Sequence, residues 1–131
     1  MSKLVKIGRP IAGAALFAIA ATGFSKSGAA ETISFKGDVM PILQVRCIEC
    51  HKPGGDGYEV SGLDLTSYEG VMKGTKHGPI VVSKNAIMSN FMVIVDGRAD
   101  EAIRMPHERK KLTKCEISIF RRWINAGAKN N

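Results

Sequence analysis

Cysteine is scarce in this chain of 131 residues: there are three, two of them three positions apart, and no second such pair follows. A zinc or iron–sulfur centre built on cysteine would need more ligands than that. Aromatic residues are also few, 6% with a single tryptophan, and no basic stripe is interleaved with them, so nothing argues for nucleic-acid binding. Acidic side chains are missing altogether before Glu31. No segment repeats, no set of side chains forms an acid–base or nucleophilic constellation, and the length suits one small domain rather than two.

The acid-free start has a layout of its own. Lys3, Lys6 and Arg9 precede an apolar run over residues 11–23, and the small residues Ser27, Gly28, Ala29 and Ala30 follow. This is the pattern of a secretory signal peptide cleaved near Ala30. The run is short of the ~20 residues that span a bilayer, so membrane association is expected only if the segment is retained. The basic region holds no twin-arginine pair, which favours export of the unfolded chain. The expected organisation is a signal peptide at 1–30 and one domain at 31–131, located in the bacterial periplasm or otherwise exported. Cleavage changes the charge. The whole chain carries +7; removing the leader's four basic residues leaves 19 − 4 = 15 against 12 acidic side chains, a net +3. Arg109, Lys110, Lys111 and Lys114 form the one dense basic cluster, read either as a solvated loop before a helix or as a docking patch for an acidic partner.

Within the domain, Phe35, Val39, Ile42 and Leu43 fall on one helical face, with Pro41 marking a start or a kink. Residues 51–62 read as a loop, rich in glycine. Leu63-Asp64-Leu65 alternates like a short extended segment, and Ser67 is placed to cap a helical turn that ends at Gly74. The apolar run 89–95 fits a strand or a helix by periodicity, and Ser89 as a cap with Gly97 as a stop favours a further short helix. The clearest element is the last: Thr113 and Glu116 form a capping box, Ile117, Phe120 and Ile124 share a face with Trp123 beside them, and Gly127 supplies the stop. Helices at both ends with loops between predict a small all-α domain.

Residues 47–51 read Cys-Ile-Glu-Cys-His. In C-x-x-C-H each thiol can add to one vinyl group of a haem, and the adjacent histidine reaches the iron from below. A thioredoxin-type pair would want a βαβ neighbourhood, which is absent, and a structural disulfide between residues three apart is uncommon. Haem is therefore the expected cofactor, one per chain and covalently attached through Cys47 and Cys50, with His51 as the proximal ligand. A core poor in aromatics is also easier to build around a large apolar cofactor.

The other axial position has several candidates: Met72, Met88, Met92, Met105, His77 and His107. Met88 and Met92 lie in or near an apolar run and read as core filler. Met105 stands in a polar stretch before Pro106, which biases it to an extended conformation, and it lies between the motif and the last helix. It is the favoured distal ligand, with His107 and His77 as alternatives. Cys115 is a third thiol with no partner once Cys47 and Cys50 are used.

The chain resembles a class I cytochrome c, and within that group the small planctomycete-type cytochrome c domain. The resemblance is carried by Asp38-Val39-Met40-Pro41-Ile42-Leu43 ahead of the motif, Ser61-Gly62-Leu63-Asp64-Leu65, Tyr68-Glu69-Gly70-Val71, Met105-Pro106, Leu112-Thr113 and Trp123-Ile124-Asn125-Ala126-Gly127-Ala128. It implies thioether links at Cys47 and Cys50, iron ligation by His51 and Met105, and N- and C-terminal helices crossing beside the haem with long loops between. Cys115 is not part of the pattern, and residues 80–85 lack a Pro-Gly turn expected there. The implied role is an electron carrier rather than an enzyme, with redox proteins such as a dehydrogenase or an oxidase as partners. Two alternatives stay open: a haem subunit of a larger periplasmic oxidoreductase, and a haem enzyme or sensor with an open distal site.

Overall fold

The computed structural model describes residues 32–131. The proposed signal peptide lies outside the described residues. Among the described residues five α-helices follow one another: α1 (Met40–Arg46), α2 (Asp56–Ser61), α3 (Tyr68–Lys73), α4 (Asn90–Val95) and α5 (Lys114–Asn125). A π-turn, Phe35–Val39, leads into α1, and a 3-10 turn, Glu101–Ile103, precedes Met105. Among the described residues there is no strand, only an isolated bridge between Thr75 and Gly78. The all-α expectation holds.

The first element starts where the Ser34 hydroxyl accepts from the Gly37 N–H at 3.1 Å. Its register changes from the wider to the ordinary helical spacing at Met40, beside Pro41, which has no N–H to give. Val39 and Leu43 are wholly buried. At the other end of the chain the capping box forms as read: Thr113 Oγ1 accepts from the Glu116 N–H at 3.2 Å, and Glu116 accepts from the Thr113 N–H at 2.6 Å. Past α5, Gly127 sits at φ 107°, and the Ala128 N–H donates to the Trp123 carbonyl at 2.9 Å, closing the helix with a left-handed residue.

These two ends pack on each other. The Phe35 ring lies 5.4 Å from that of Trp123 and 5.2 Å from that of Tyr68, the latter edge-on. The two polar handles are satisfied, Trp123 Nε1 donating to the Lys129 carbonyl at 2.9 Å and Tyr68 OH to the Ala128 carbonyl at 2.8 Å. A second ring pair, Phe91 on Phe120 at 4.9 Å, joins α4 to α5. Phe120, Trp123 and Ile124 are buried on one face of α5, while Arg121 and Arg122 are exposed. Around this seam Leu63, Leu65, Val71, Met92, Val95 and Leu112 complete a single core.

Three expectations need correction. The glycine-rich stretch taken as loop contains α2, capped at Gly62 in the left-handed conformation (φ 73°). Asp56 and Glu59 in its first turn suit the positive end of a helix, a local preference that outweighed the composition. Ser89 does precede α4, but its hydroxyl does not cap it. It is fully buried and accepts from the Val82 N–H at 2.9 Å while donating to the Asn85 carbonyl at 2.8 Å, tying the 82–89 loop to itself. Met92 is core as expected, but Met88 is 66% exposed, because it sits in the turn before α4 and off the face that Phe91, Met92 and Val95 bury.

Candidate haem-binding site

The attachment motif is a tight turn stacked on the end of α1. The N–H groups of Cys47 and Ile48 both donate to the Leu43 carbonyl at 2.9 Å, and those of Cys50 and His51 both return to the Cys47 carbonyl at 3.2 and 3.0 Å. Cys47, Cys50 and His51 are thus fixed on one turn by the backbone alone. All three are partly buried. Cys47 and Met105 both border the hydrophobic core.

Burial pushes the Cys47 thiol up to about 11 against the pull of Arg46, so at neutral pH it is a protonated thiol. A redox-active C-x-x-C needs the opposite shift. His51 is moved the other way: burial lowers its pKa, partly offset by the backbone of Leu63, and the ring is neutral at neutral pH with a lone pair free to ligate. Its Nδ1 is buried, and Leu63 does not close a hydrogen bond on it.

Two glycines that sequence reasoning passed over hold this turn in place. A Cβ on Gly55 would lie 2.5 Å from the Cys50 carbonyl oxygen, so backbone approaches backbone there as only glycine allows. A Cβ on Gly57 would lie 2.8 Å from Cε1 and 3.0 Å from each nitrogen of the His51 ring. Near-equal distances to three ring atoms put that point over the face of the imidazole. The Tyr58 N–H donates to the Cys50 carbonyl at 3.0 Å, and the Leu65 N–H to the His51 carbonyl at 2.9 Å. The first turn of α2 therefore lies on the His51 ring. The pattern Gly-Gly-Asp-Gly just after the motif was the available signal.

The Met105 segment is held differently. Asp100 caps the short 3-10 turn by accepting from the Ala102 N–H at 2.9 Å, Arg104 donates through Nε and Nη2 to the Ala99 carbonyl, and the Met105 N–H reaches the Ile94 carbonyl at the end of α4 at 3.1 Å. The Met105–Pro106 peptide is cis. Beyond it, side chains of the attachment turn reach across. Arg46 Nη2 donates to the carbonyls of Lys110 and Lys111 and its Nε lies 3.7 Å from Glu116. Arg109 donates to Glu49, the second spacer residue of the motif, at 2.7 Å. This bond and the charge of Arg109 hold the Glu49 carboxyl below its ordinary value. A cleft of about 230 Å³, lined by Val45, Arg46, Pro106, Arg109 and Lys110, lies between the two segments.

The other sequence candidates are elsewhere. His77 is exposed in the 75–78 turn; His107 is half-exposed, 4.0 Å from Glu108; Met92 is in the core; Met72 is partly buried on α3; Cys115 is exposed at the start of α5. Among the described residues no three His, Cys, Asp or Glu side chains converge to hold a metal ion by themselves. What the site offers is two thiols one turn apart, a neutral, partly buried imidazole whose buried Nδ1 lacks a hydrogen-bond partner, and a thioether on a tethered segment. That donor set fits a haem rather than a bare ion.

No helix among the described residues is long and apolar enough to cross a membrane. Neither a curated protein nor a solved structure matches the chain. A family does: residues 47–108 match planctomycete cytochrome C. The match opens on Cys47 and closes three residues beyond Met105, so it takes in the 47–51 turn, the α2 glycines and the Met105 segment together. Residues 47–108 thus carry a stretch similar to planctomycete cytochrome C, and a cytochrome c domain implies a covalently bound haem c.

Proposed function

We propose that the protein is an exported electron carrier with one haem, held by thioether bonds to Cys47 and Cys50 and ligated by His51 and Met105. When bound, the haem supplies a one-electron ferrous–ferric couple. The residues of the chain do the rest. Cys47 and Cys50, fixed by the Leu43 and Cys47 carbonyls, anchor the group on one side. His51 stays neutral and, packed under α2, keeps one orientation. Met105 would give a sulfur donor, which favours the ferrous form relative to a second nitrogen. The apolar core beside it, Leu43, Phe120 and Leu112 among others, disfavours the extra charge of the oxidised state.

The observation that carries this reading is the tethering of the Met105 segment to the attachment turn by Arg46 and Glu49, which brings the favoured sulfur donor's segment and the imidazole's segment against each other. The chain reaches its place by the leader at 1–30, and its partners are redox proteins, a dehydrogenase or an oxidase. The test is optical. The ferric protein should show the weak red band of an iron–thioether bond, and Met105→Ala should abolish it while leaving the haem attached. A ferric form that is high-spin and binds cyanide at once would instead mark an open distal site and an enzyme or sensor. The mass of the exported protein should correspond to residues 31–131 plus one haem.

A further inference from the structure

Residues 106–112 have little to hold them. Apart from a local turn at 107–108, no main-chain hydrogen bond among the described residues ties them to the rest of the protein, and Glu108 sits at φ 50°, a left-handed conformation that a residue with a Cβ disfavours. Leu112 is buried at the far end, and the Met105 N–H is tied at the near end. Between these anchors the carbonyls of Lys110 and Lys111 meet a single partner, the Arg46 guanidinium, which also faces Glu116 at the start of α5. Glu49 adds the ion pair to Arg109. Arg46 precedes Cys47 directly, and Glu49 lies inside the motif. Both reach from the turn that bears the attachment thiols to the segment that bears the thioether.

We propose that Arg46 is the main member, and the Glu49–Arg109 pair the minor one, of a clamp that holds the Met105 segment closed and thereby sets how readily Met105 leaves the iron. The inference rests on Met105 being the distal ligand. Arg46 dominates for a physical reason. Its side chain is 21% exposed and makes a forked donation to two carbonyls plus a charge contact, whereas Glu49 and Arg109 are 69% and 47% exposed. Charge-assisted bonds that are partly screened from water are worth more than a surface pair. A lysine has a single nitrogen on a flexible stem, so it cannot meet both carbonyls, as Nη2 does, and face Glu116 with a second nitrogen, as Nε does. These are positioning residues; none of them needs to touch the haem.

The experiment uses the haem-loaded ferric protein and follows displacement of the thioether by imidazole. At saturating imidazole the rate reports the loss of the native ligand. Arg46→Ala should raise that rate by about tenfold and Arg46→Lys by a smaller factor, while Glu49→Gln raises it by about twofold, an excess that added salt abolishes. Ile124→Val, a core change at the far end of α5, should lower overall stability without changing the rate. Glu49→Gln is a surface change that leaves the fold intact, so one arm remains readable if Arg46→Ala unfolds. Rates equal to the unaltered protein in Arg46→Lys and Glu49→Gln, or rates that merely follow global stability with Ile124→Val on the same line, would overturn the clamp. If the unaltered protein lacks the iron–thioether band, the ligand assignment fails and the clamp with it; if the band is present and the rates do not move, the clamp alone fails.

Discussion

The two sides of the site are built by different means. On the proximal side, backbone holds backbone: Cys47, Cys50 and His51 are tied by main-chain hydrogen bonds, and Gly55 and Gly57 let α2 press directly onto the turn. On the distal side, side-chain charge holds backbone: Arg46 grips two carbonyls and Glu49 grips Arg109. The first arrangement depends on shape and is indifferent to salt and to moderate pH. The second depends on charge and is sensitive to both. Under the proposed ligation, a site made this way would keep His51 rigid and leave Met105 exchangeable, and each side can be disturbed without the other.

The largest effect should come from Gly55→Ala. The new methyl would fall 2.5 Å from the Cys50 oxygen, a main-chain atom that cannot swing aside. Forced overpacking of this kind costs about 1–3 kcal/mol, and the upper end is expected where the obstacle is backbone. Chemical unfolding of the haem-loaded protein measures it; a loss no larger than that of an exposed-site control would mean that α2 does not rest on the turn as described.

Gly57→Ala comes next. Alanine suits a helix better than glycine by roughly 0.5–1 kcal/mol, so an unhindered site would gain stability. Here the methyl would meet the face of the His51 ring at 2.8–3.0 Å. The ring has to tilt, so the expected outcome is a net loss of stability together with a changed low-spin spectrum. Loss of stability with an unchanged spectrum would show that α2 packs near the histidine without orienting it.

How much of this was legible in advance follows the same division. The capping box at Thr113 and Glu116, the Ser67–Gly74 turn and the face of Phe120 and Trp123 are local patterns, written within a few residues, and they form as read. The motif turn was legible for the same reason. Met105 was singled out as a candidate, and the family match spans it. α2 escaped because its six residues bury no side chain fully, so no apolar period marks it, and glycine around it reads as loop. Ser89 was read as a cap, although its partners, Val82 and Asn85, lie upstream in a loop with no pattern of its own. The clamp was out of reach altogether: Arg46 and Glu49 find partners 60 to 65 positions away, and neither residue looks unusual in sequence.

A smaller effect sharpens the distal half. The Glu116 carboxyl is pulled both ways: burial alone would raise it, but hydrogen bonds from Thr113 and then the charges of Arg46 and Lys110 outweigh that and hold it below its usual 4.5. A depressed carboxyl binds fewer protons folded than unfolded, so its contribution is present above about pH 4.5 and is lost as pH falls below it. Acid should therefore loosen the start of α5 and the Arg46 contact before it affects the main-chain turn at 47–51. Unfolding free energy measured between about pH 5 and pH 3 should fall less steeply in Glu116→Gln than in the unaltered protein. Equal slopes would show that Glu116 is not coupled to folding.

The smallest effect separates charge from shape most cleanly. Glu49 and Arg109 sit at the surface, joined at 2.7 Å, and surface pairs contribute little to overall stability. Glu49→Gln, Arg109→Gln and the double variant should unfold at almost the same temperature as the unaltered protein. Their distinction should lie in coupling. At low salt the two single changes should each speed imidazole entry, and the double change should add little more, because either one already breaks the pair. At about 1 M salt, where screening acts within ~3 Å, all four proteins should converge. Additive rates at low salt would mean that the two residues act separately, with Arg46 alone joining the charged side of the site to the rigid one. Non-additive rates that survive high salt would mean that the pair works by shape, and the contrast between the two sides would be one of position rather than of kind.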